Sequence, residues 1–306
     1  MRATIFRTNY PMLTSIRSNI QCFKPVNWQL AHQQHVTLGP KAVIMAIMNV
    51  TPDSFSDGAQ INSIDDALKT AEQHIAEGAH ILDIGGESTR PGADPVTAQM
   101  EQDRVLPVIE ALSSNFDAIL SIDTYRASTA DMAVSAGAHI INDVWALQRD
   151  PKIAKVAAKH QAGVCIMHTG RNRKIDPDVI TDQFNWFETS LQIAQEAGVK
   201  NNAIVLDPGF GFAKETLEEN LSLFLRFDEL HTLKYPFLIG SSRKRFIGAL
   251  TGQEATSRDV GTSATSALLR QMGGAIFRVH DVETNRDALS VVDGLIAHAF
   301  NEGMTS

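Results

Sequence analysis

From Val43 to its C-terminus this chain alternates short apolar runs with longer amphipathic stretches. The runs are Val43–Val50, His80–Ile84, Ala118–Ile122, His139–Ile141, Val164–Met167, Ala203–Leu206, Phe237–Ile239 and Ala275–Val279. Between them, apolar residues recur three and four apart, as at Val105, Ile109 and Leu112, which predicts helices. Ser63 with Asp66, and Ser128 with Asp131, have the spacing of helix N-termini. Gly78, Gly137, Gly163, Gly198 and Gly274 stand where a helix takes a left-handed exit before the next strand. Two junctions nearly repeat, GAHILD at Gly78–Asp83 and GAHIIN at Gly137–Asn142. Strands separated by helices pair in parallel, with both sheet faces covered. Eight such units over about 260 residues predict a (β/α)8 TIM barrel, with a doubly wound open sheet as the alternative. Trp28–Leu38 reads as a short strand pair closing the bottom of the barrel, and no linker divides residues 26–306.

Residues 1–25 differ. They carry Arg2, Arg7, Arg17 and Lys24, and the first acidic residue of the chain is Asp53. Such a leader reads either as an organelle transit peptide or as a loose extension without a role, and the balance favours the latter. Composition narrows the function classes. Hydrophobic residues at 43% and charged residues at 20% are globular values. A net charge of −8 speaks against a nucleic-acid partner. The apolar run through Val43–Met48 is too short for a membrane span, and Cys22 and Cys165 make neither a disulfide scaffold nor a metal knuckle. A cytoplasmic protein is the expectation.

In barrels of this kind the chemistry sits at the C-terminal ends of the strands. Those ends read Asn49, Asp83, Asp123, Asn142 with Asp143, His168, Asp207, Ser241–Lys244, and Arg278 with His280. Arg278 and His280 are two apart on a strand and point the same way, as a phosphate clamp requires. Arg243 and Lys244, with Ser241 and Ser242 ahead of a helix, add to a basic corner fit for an anion. Across from it, Asp123, Asn142 and Asp207 suit a flat amino-pyrimidinone ring, with Lys244 donating to the ring. The competing reading gives the same three residues a Mg²⁺ or Ca²⁺ ion. Two loops rich in Gly, Pro, Ser and Asp, Asn49–Gly58 and Gly85–Ala93, follow the first two strands and are placed to close over a reaction.

These segments resemble dihydropteroate synthases. The likeness rests on NVTPDSFSDG (Asn49–Gly58), GGESTRPGA (Gly85–Ala93), SIDT (Ser121–Thr124), IND (Ile141–Asp143), LDPGFGF (Leu206–Phe212), SRK (Ser242–Lys244) and RVHDV (Arg278–Val282). The resemblance implies a barrel, usually a homodimer, that joins p-aminobenzoate to 6-hydroxymethyl-7,8-dihydropterin pyrophosphate. It implies that Asp123, Asn142, Met167, Asp207, Phe212 and Lys244 hold the pterin. It also implies that Asn49, Thr89, Arg90, Arg278 and His280 take the pyrophosphate, with Asn49 a ligand to Mg²⁺. Thr89, Arg90, Pro91, Phe212 and Ser242 would shape the p-aminobenzoate site, and Phe55 and Asp57 would join Asp123 and Lys244 in catalysis. Departures are the basic stretch Thr169–Lys174, Ala213 where glycine is frequent, and Tyr125-Arg126 in place of a small-then-basic pair. The rival readings are a pterin-binding methyltransferase barrel and a catalytically silent pterin-binding paralogue.

Overall fold

The computed structural model describes residues 16, 18–50, 61, 63–88 and 94–301. Eight strands pair in parallel: β3 (Val43–Asn49), β4 (Ile81–Gly85), β5 (Ile119–Asp123), β6 (Ile140–Asp143), β7 (Gly163–Met167), β8 (Ile204–Asp207), β9 (Leu238–Ile239) and β10 (Ile276–Val279). Their order is β8-β7-β6-β5-β4-β3-β10-β9, and a parallel bridge between Leu206 and Phe237 closes the ring. Each apolar run read from the sequence overlaps one of these strands, and the open-sheet alternative falls. The helices are α1 (Ile64–Glu77), α2 (Ala98–Asn115), α3 (Ala127–Ser135), α4 (Lys152–His160), α5 (Val179–Glu196), α6 (Leu217–Leu225), α7 (Arg245–Thr251), α8 (Asp259–Gln271) and α9 (Val282–Asn301). Two of them, α7 and α8, lie between β9 and β10, so the plain alternation has one extra helix there.

The floor is plugged as expected. Strands β1 (Val26–Gln29) and β2 (His35–Leu38) form an antiparallel pair. Trp28, Leu30 and Leu38 are buried against the inward residues Met45, Ile81, Ile140, Cys165, Val205, Leu238 and Ile276. The Trp28 indole, an N–H that burial would otherwise orphan, donates to the Ala203 carbonyl at 2.8 Å. The near-repeat has a structural meaning. His80 donates its backbone N–H to the Ile44 carbonyl at 2.9 Å, and its Nδ1 accepts from the Ile44 N–H at 3.1 Å. His139 does the same with Leu120, at 2.7 and 3.1 Å. In each, an imidazole stands in for a backbone carbonyl one step before the ladder begins.

Three details differ from the sequence reading. Gly78, Gly137 and Gly198 do take positive φ, but at the other two junctions Gln161 and Gly273 make the left-handed exit. Gly163 is instead bare because the plug comes close: a Cβ there would lie 2.4 Å from Leu30. Ser128 does not cap its helix, which starts at Ala127; the carboxylate of Asp150 accepts the Ala127 N–H at 3.0 Å instead. Ser63 caps α1 as expected, accepting from the Asp66 N–H. Finally, residues 1–15 and 17 of the N-terminal extension lie outside the described residues, but its last part is no loose tail. Ile16, Ile20 and Phe23 are buried against Val292, Ile296 and Ala299 of α9, which an apolar i, i+4 spacing in that segment allowed.

Candidate active site

Parallel register sets four strand ends side by side: Asn49 on β3 is level with Gly85 on β4, Gly85 with Asp123 on β5, and Asp123 with Asn142 on β6. One rung of the mouth is therefore amide, gap, carboxylate, amide. Both neighbours line the gap, since a Cβ on Gly85 would touch Asp123 at 3.6 Å and the Asn49 Oδ1 at 3.7 Å, ordinary contact distances. One layer deeper lies Asp83, fully buried. Its Oδ2 accepts from Asn142 Nδ2 at 3.2 Å and from Arg278 Nε at 2.6 Å, while its Oδ1 has no partner among the described residues. Arg278 reaches across from β10 and also donates through Nη2 to Asp123 Oδ2 at 2.9 Å. One guanidinium thus serves two carboxylates, using two of its five N–H groups in these bonds.

Burial pushes the Asp123 carboxyl up to about 7; Arg278 pulls against this, and Asp83, Glu101 and Asp143 add to it. On the far wall Asp207 ends β8, with Oδ1 accepting the Gly209 N–H at 2.7 Å. Burial raises it to about 6 despite that bond and nearby Lys244. Its other oxygen faces bare Gly240, whose Cβ would come within 3.2 Å. Lys244 follows β9, the strand farthest from β5 around the ring, and burial with Arg278 lowers it to about 8. Its ammonium lies 4.0 Å from the centroid of the Phe212 ring, and the Arg171 guanidinium 4.8 Å from the same centroid. Phe212, Met167, Tyr125 and Val144 form a small apolar cluster beside this pair.

At the rim, Ser242 Oγ accepts the His280 backbone N–H at 3.2 Å and contacts His280 Nδ1 at 2.9 Å. The pair fixes the plane of the imidazole, whichever of Oγ and Nδ1 donates. The structure brings together Asn49, Asp123, Asn142, Met167, Asp207, Phe212, Ser242, Lys244, Arg278 and His280. Phe55, Asp57, Thr89, Arg90 and Pro91 lie outside the described residues. The root of the second loop is anchored, however. Glu87 accepts from the Tyr125 hydroxyl at 3.0 Å and pairs with Arg126 at 2.6 Å, which explains the Tyr125-Arg126 departure.

Several strand-end residues do other work. Asp143 accepts from the Trp145 and Leu147 N–H groups and shapes a turn. Arg243 is no part of the basic corner: it forks onto Asp259 of α8 at 2.7 and 2.8 Å. The Ser241 hydroxyl turns to Thr265. Of the three residues given a possible Mg²⁺ or Ca²⁺ ion, Asp123 has its Oδ2 taken by Arg278 and Asp207 has its Oδ1 taken by the Gly209 N–H. No group of three acidic, histidine or cysteine residues able to hold a metal occurs among the described residues. Asp83, which the sequence placed at a strand end without a role, turns out to be the deepest acid of the site.

The comparisons with known proteins follow this geometry. The family described as pterin binding enzyme matches residues 45–280. A dihydropteroate synthase from Bacillus subtilis is 46% identical over 256 residues, covering 84% of this chain and 89% of its own. A dihydropteroate synthase from Yersinia pestis, solved with a sulfonamide drug, superposes with a TM-score of 0.83 at 38% identity, over 89% of this chain and 100% of its own. Another, from Xanthomonas albilineans with 4-aminobenzoic acid, gives a TM-score of 0.82 at 37% identity, over 90% and 99%. With that family model and these relatives over most of its length, the chain belongs to the dihydropteroate synthase family of transferases.

Proposed function

We propose that this mouth joins p-aminobenzoate to 6-hydroxymethyl-7,8-dihydropterin pyrophosphate, giving 7,8-dihydropteroate and pyrophosphate in folate biosynthesis. The carrying observation is the gathering of opposite charges at one mouth: Asp83, Asp123, Asn142 and Asp207 with Lys244 and Arg278, whose guanidinium bridges Asp83 and Asp123. Asp207 and Asn142 bind the amino-pyrimidinone edge, where one carboxylate matches two parallel N–H donors. Lys244 donates to the ring's acceptors. Arg278 and His280 take the pyrophosphate.

The C–O bond to pyrophosphate breaks first, and the charge leaving with it is met by Arg278 and His280. The methylene carbon left behind is cationic, and ionised Asp123 stabilises it at close range. The amine of p-aminobenzoate then donates its lone pair to form the C–N bond and sheds a proton. A weakly nucleophilic aniline favours this order. Phe212 and Ser242 form the described part of the amine site; the 4-aminobenzoic acid of the Xanthomonas albilineans relative supports that substrate. Phe55, Asp57, Thr89, Arg90 and Pro91 complete it and exclude water in this reading.

The residues present fit a Mg²⁺ ion only as a partner of the substrate. Asn49 Oδ1 faces the bare Gly85, 3.7 Å from where its Cβ would be, so a hard oxygen donor lines that bay, while the nearby Asp123 Oδ2 is taken by Arg278. Asn49 would hold the ion there, and the ion would supply extra neutralisation of the pyrophosphate. We also place the enzyme in the cytoplasm as a homodimer. Cys22 and Cys165 are free thiols, no described helix is long and apolar enough to cross a membrane, and α8 and α9 expose Val260, Leu268, Val291 and Leu295. The test is a coupled pyrophosphate-release assay. Release that needs both substrates is expected. A silent pterin-binding paralogue would bind pterin without release, and a methyltransferase would ignore p-aminobenzoate.

A further inference from the structure

Behind the apolar wall of the mouth runs a buried polar chain with no place in the reaction above. Lys214, two residues past Phe212, is almost fully buried. Its ammonium donates to the Gly209 carbonyl at 2.9 Å, the Phe212 carbonyl at 3.5 Å and His168 Nδ1 at 3.1 Å. An ammonium only donates, so Nδ1 is the bare nitrogen and Nε2 carries the hydrogen. That hydrogen goes to Asp182 Oδ2 at 2.9 Å. The contact between Arg173 Nη2 and His168 Nε2, at 2.9 Å, then joins two donors and is proximity only; both share the Asp182 oxygen. Asp182 lies in the first turn of α5 and takes a fork from Arg173, at 2.6 and 2.8 Å, and the Asp176 N–H at 2.8 Å. Burial, with Lys214 alongside, holds His168 down at about 3, so the ring stays neutral. Edge contacts with Trp186 and Phe187 fix its plane.

This chain ends on a loop that needs holding. After β8 the backbone turns through three left-handed residues, Gly209, Gly211 and Ala213. At Gly209 it runs so close to His168 that a Cβ would lie 2.0 Å from the His168 carbonyl oxygen. Phe212 stands at the outer end of that turn, facing Lys244 and Arg171. A same-length apolar side chain would close the loop without desolvating an ammonium, and burial does pull Lys214 down to about 7. The lysine's distinctive contribution is therefore geometric: it is tied at a fixed length to two carbonyls of the turn and, through one imidazole, to α5.

We infer that Lys214, acting through His168, is a positioning residue for the aromatic-amine site, setting where Phe212 stands relative to Lys244. The inference rests on the reading of Phe212 as part of that site. In the full-length enzyme, Lys214→Met should raise KM for p-aminobenzoate about tenfold or more, with kcat reduced less and pterin affinity by calorimetry changed less than about threefold. His168→Gln, whose amide offers an acceptor and a donor, should stay within about threefold of the wild-type KM, whereas His168→Leu should behave as Lys214→Met does. Should Lys214→Met fail to fold, the histidine pair carries the test alone. An unchanged KM for p-aminobenzoate in Lys214→Met or His168→Leu, or pterin affinity falling in step with it, overturns the proposal. Phe212→Ala separates the two ideas. If it too leaves that KM unchanged, the assignment of the amine site is what fails.

Discussion

The two ends of the barrel treat buried polar groups in opposite ways. At the floor, His80 and His139 replace backbone acceptors, the Trp28 indole meets a carbonyl, and the hairpin fills what space remains. At the mouth, two carboxylates share one guanidinium and one Asp83 oxygen has no partner among the described residues. The floor is satisfied and the mouth is left wanting a ligand. Stability has been placed at one end and reactivity at the other, which a closed barrel permits because strand length separates them.

Proton linkage sharpens the contrast, since the two ends respond to pH with opposite sign. Asp123 and Asp207 are raised to about 7 and about 6, so the folded state binds their protons more tightly than the unfolded chain does. Their contribution is whole below the ordinary carboxylate range and is lost as pH climbs through those values. His139 is pushed the other way, to about 4, by burial and by His32. Its contribution is whole above its ordinary 6.5 and is lost as pH falls toward 4.

The largest effect should come from Asp207→Asn. It keeps an oxygen for the Gly209 N–H but offers one acceptor where the ring needs two, so pterin affinity should fall about a hundredfold or more in calorimetry. The same variant should melt higher at pH 7, by roughly 1–3 kcal/mol of stability, because a buried ionised acid is gone. Unchanged affinity would remove Asp207 from the site. Arg278→Ala should raise KM for the pyrophosphate substrate by about ten- to a hundredfold and leave that for p-aminobenzoate nearly alone. Equal kinetics would refute the phosphate role. At the floor, His139→Asn can still accept the Leu120 N–H yet cannot gain a proton. Its activity should match the parent's, and its melting temperature at pH 5 should exceed the parent's by about 3 °C; a lower value would mean the imidazole does more than accept. Smallest of all, Ala213→Gly relieves a side chain held at φ 53° and should change stability by less than about 1 kcal/mol in denaturant titration. A larger loss would show that the methyl group packs.

Much of this was legible in the residues because local signals agreed with the global fold. The strand runs lie where the ladder has them, and Asn49, Asp123, Asn142 and Asp207 meet at the mouth, because period-two patterning and parallel register leave a strand end little choice. What could not be read was commitment. Arg243 and Lys244 are neighbours with the same charge, yet Arg243, at φ 57°, pairs with Asp259 of α8 while Lys244 lies over Phe212. The link from Asp182 to His168 to Lys214 joins residues 14 and 46 positions apart, and no periodicity marks it. Ile16, Ile20 and Phe23 went unread because an acid-poor, arginine-bearing leader hides a helix-spaced apolar face.

The ring of strands is fastened unevenly. Seven of its seams are ladders, while the eighth is the lone Leu206–Phe237 bridge beside a two-residue β9. On one side of that clasp sits Asp207 and on the other Ser242 and Lys244, the groups proposed to grip a ligand from across the slot. Slack in the clasp is read out directly as a change in slot width. An occupant held by both edges acts as a rivet, so amide exchange at Leu206 should slow more on saturation than exchange anywhere on β4 or β5.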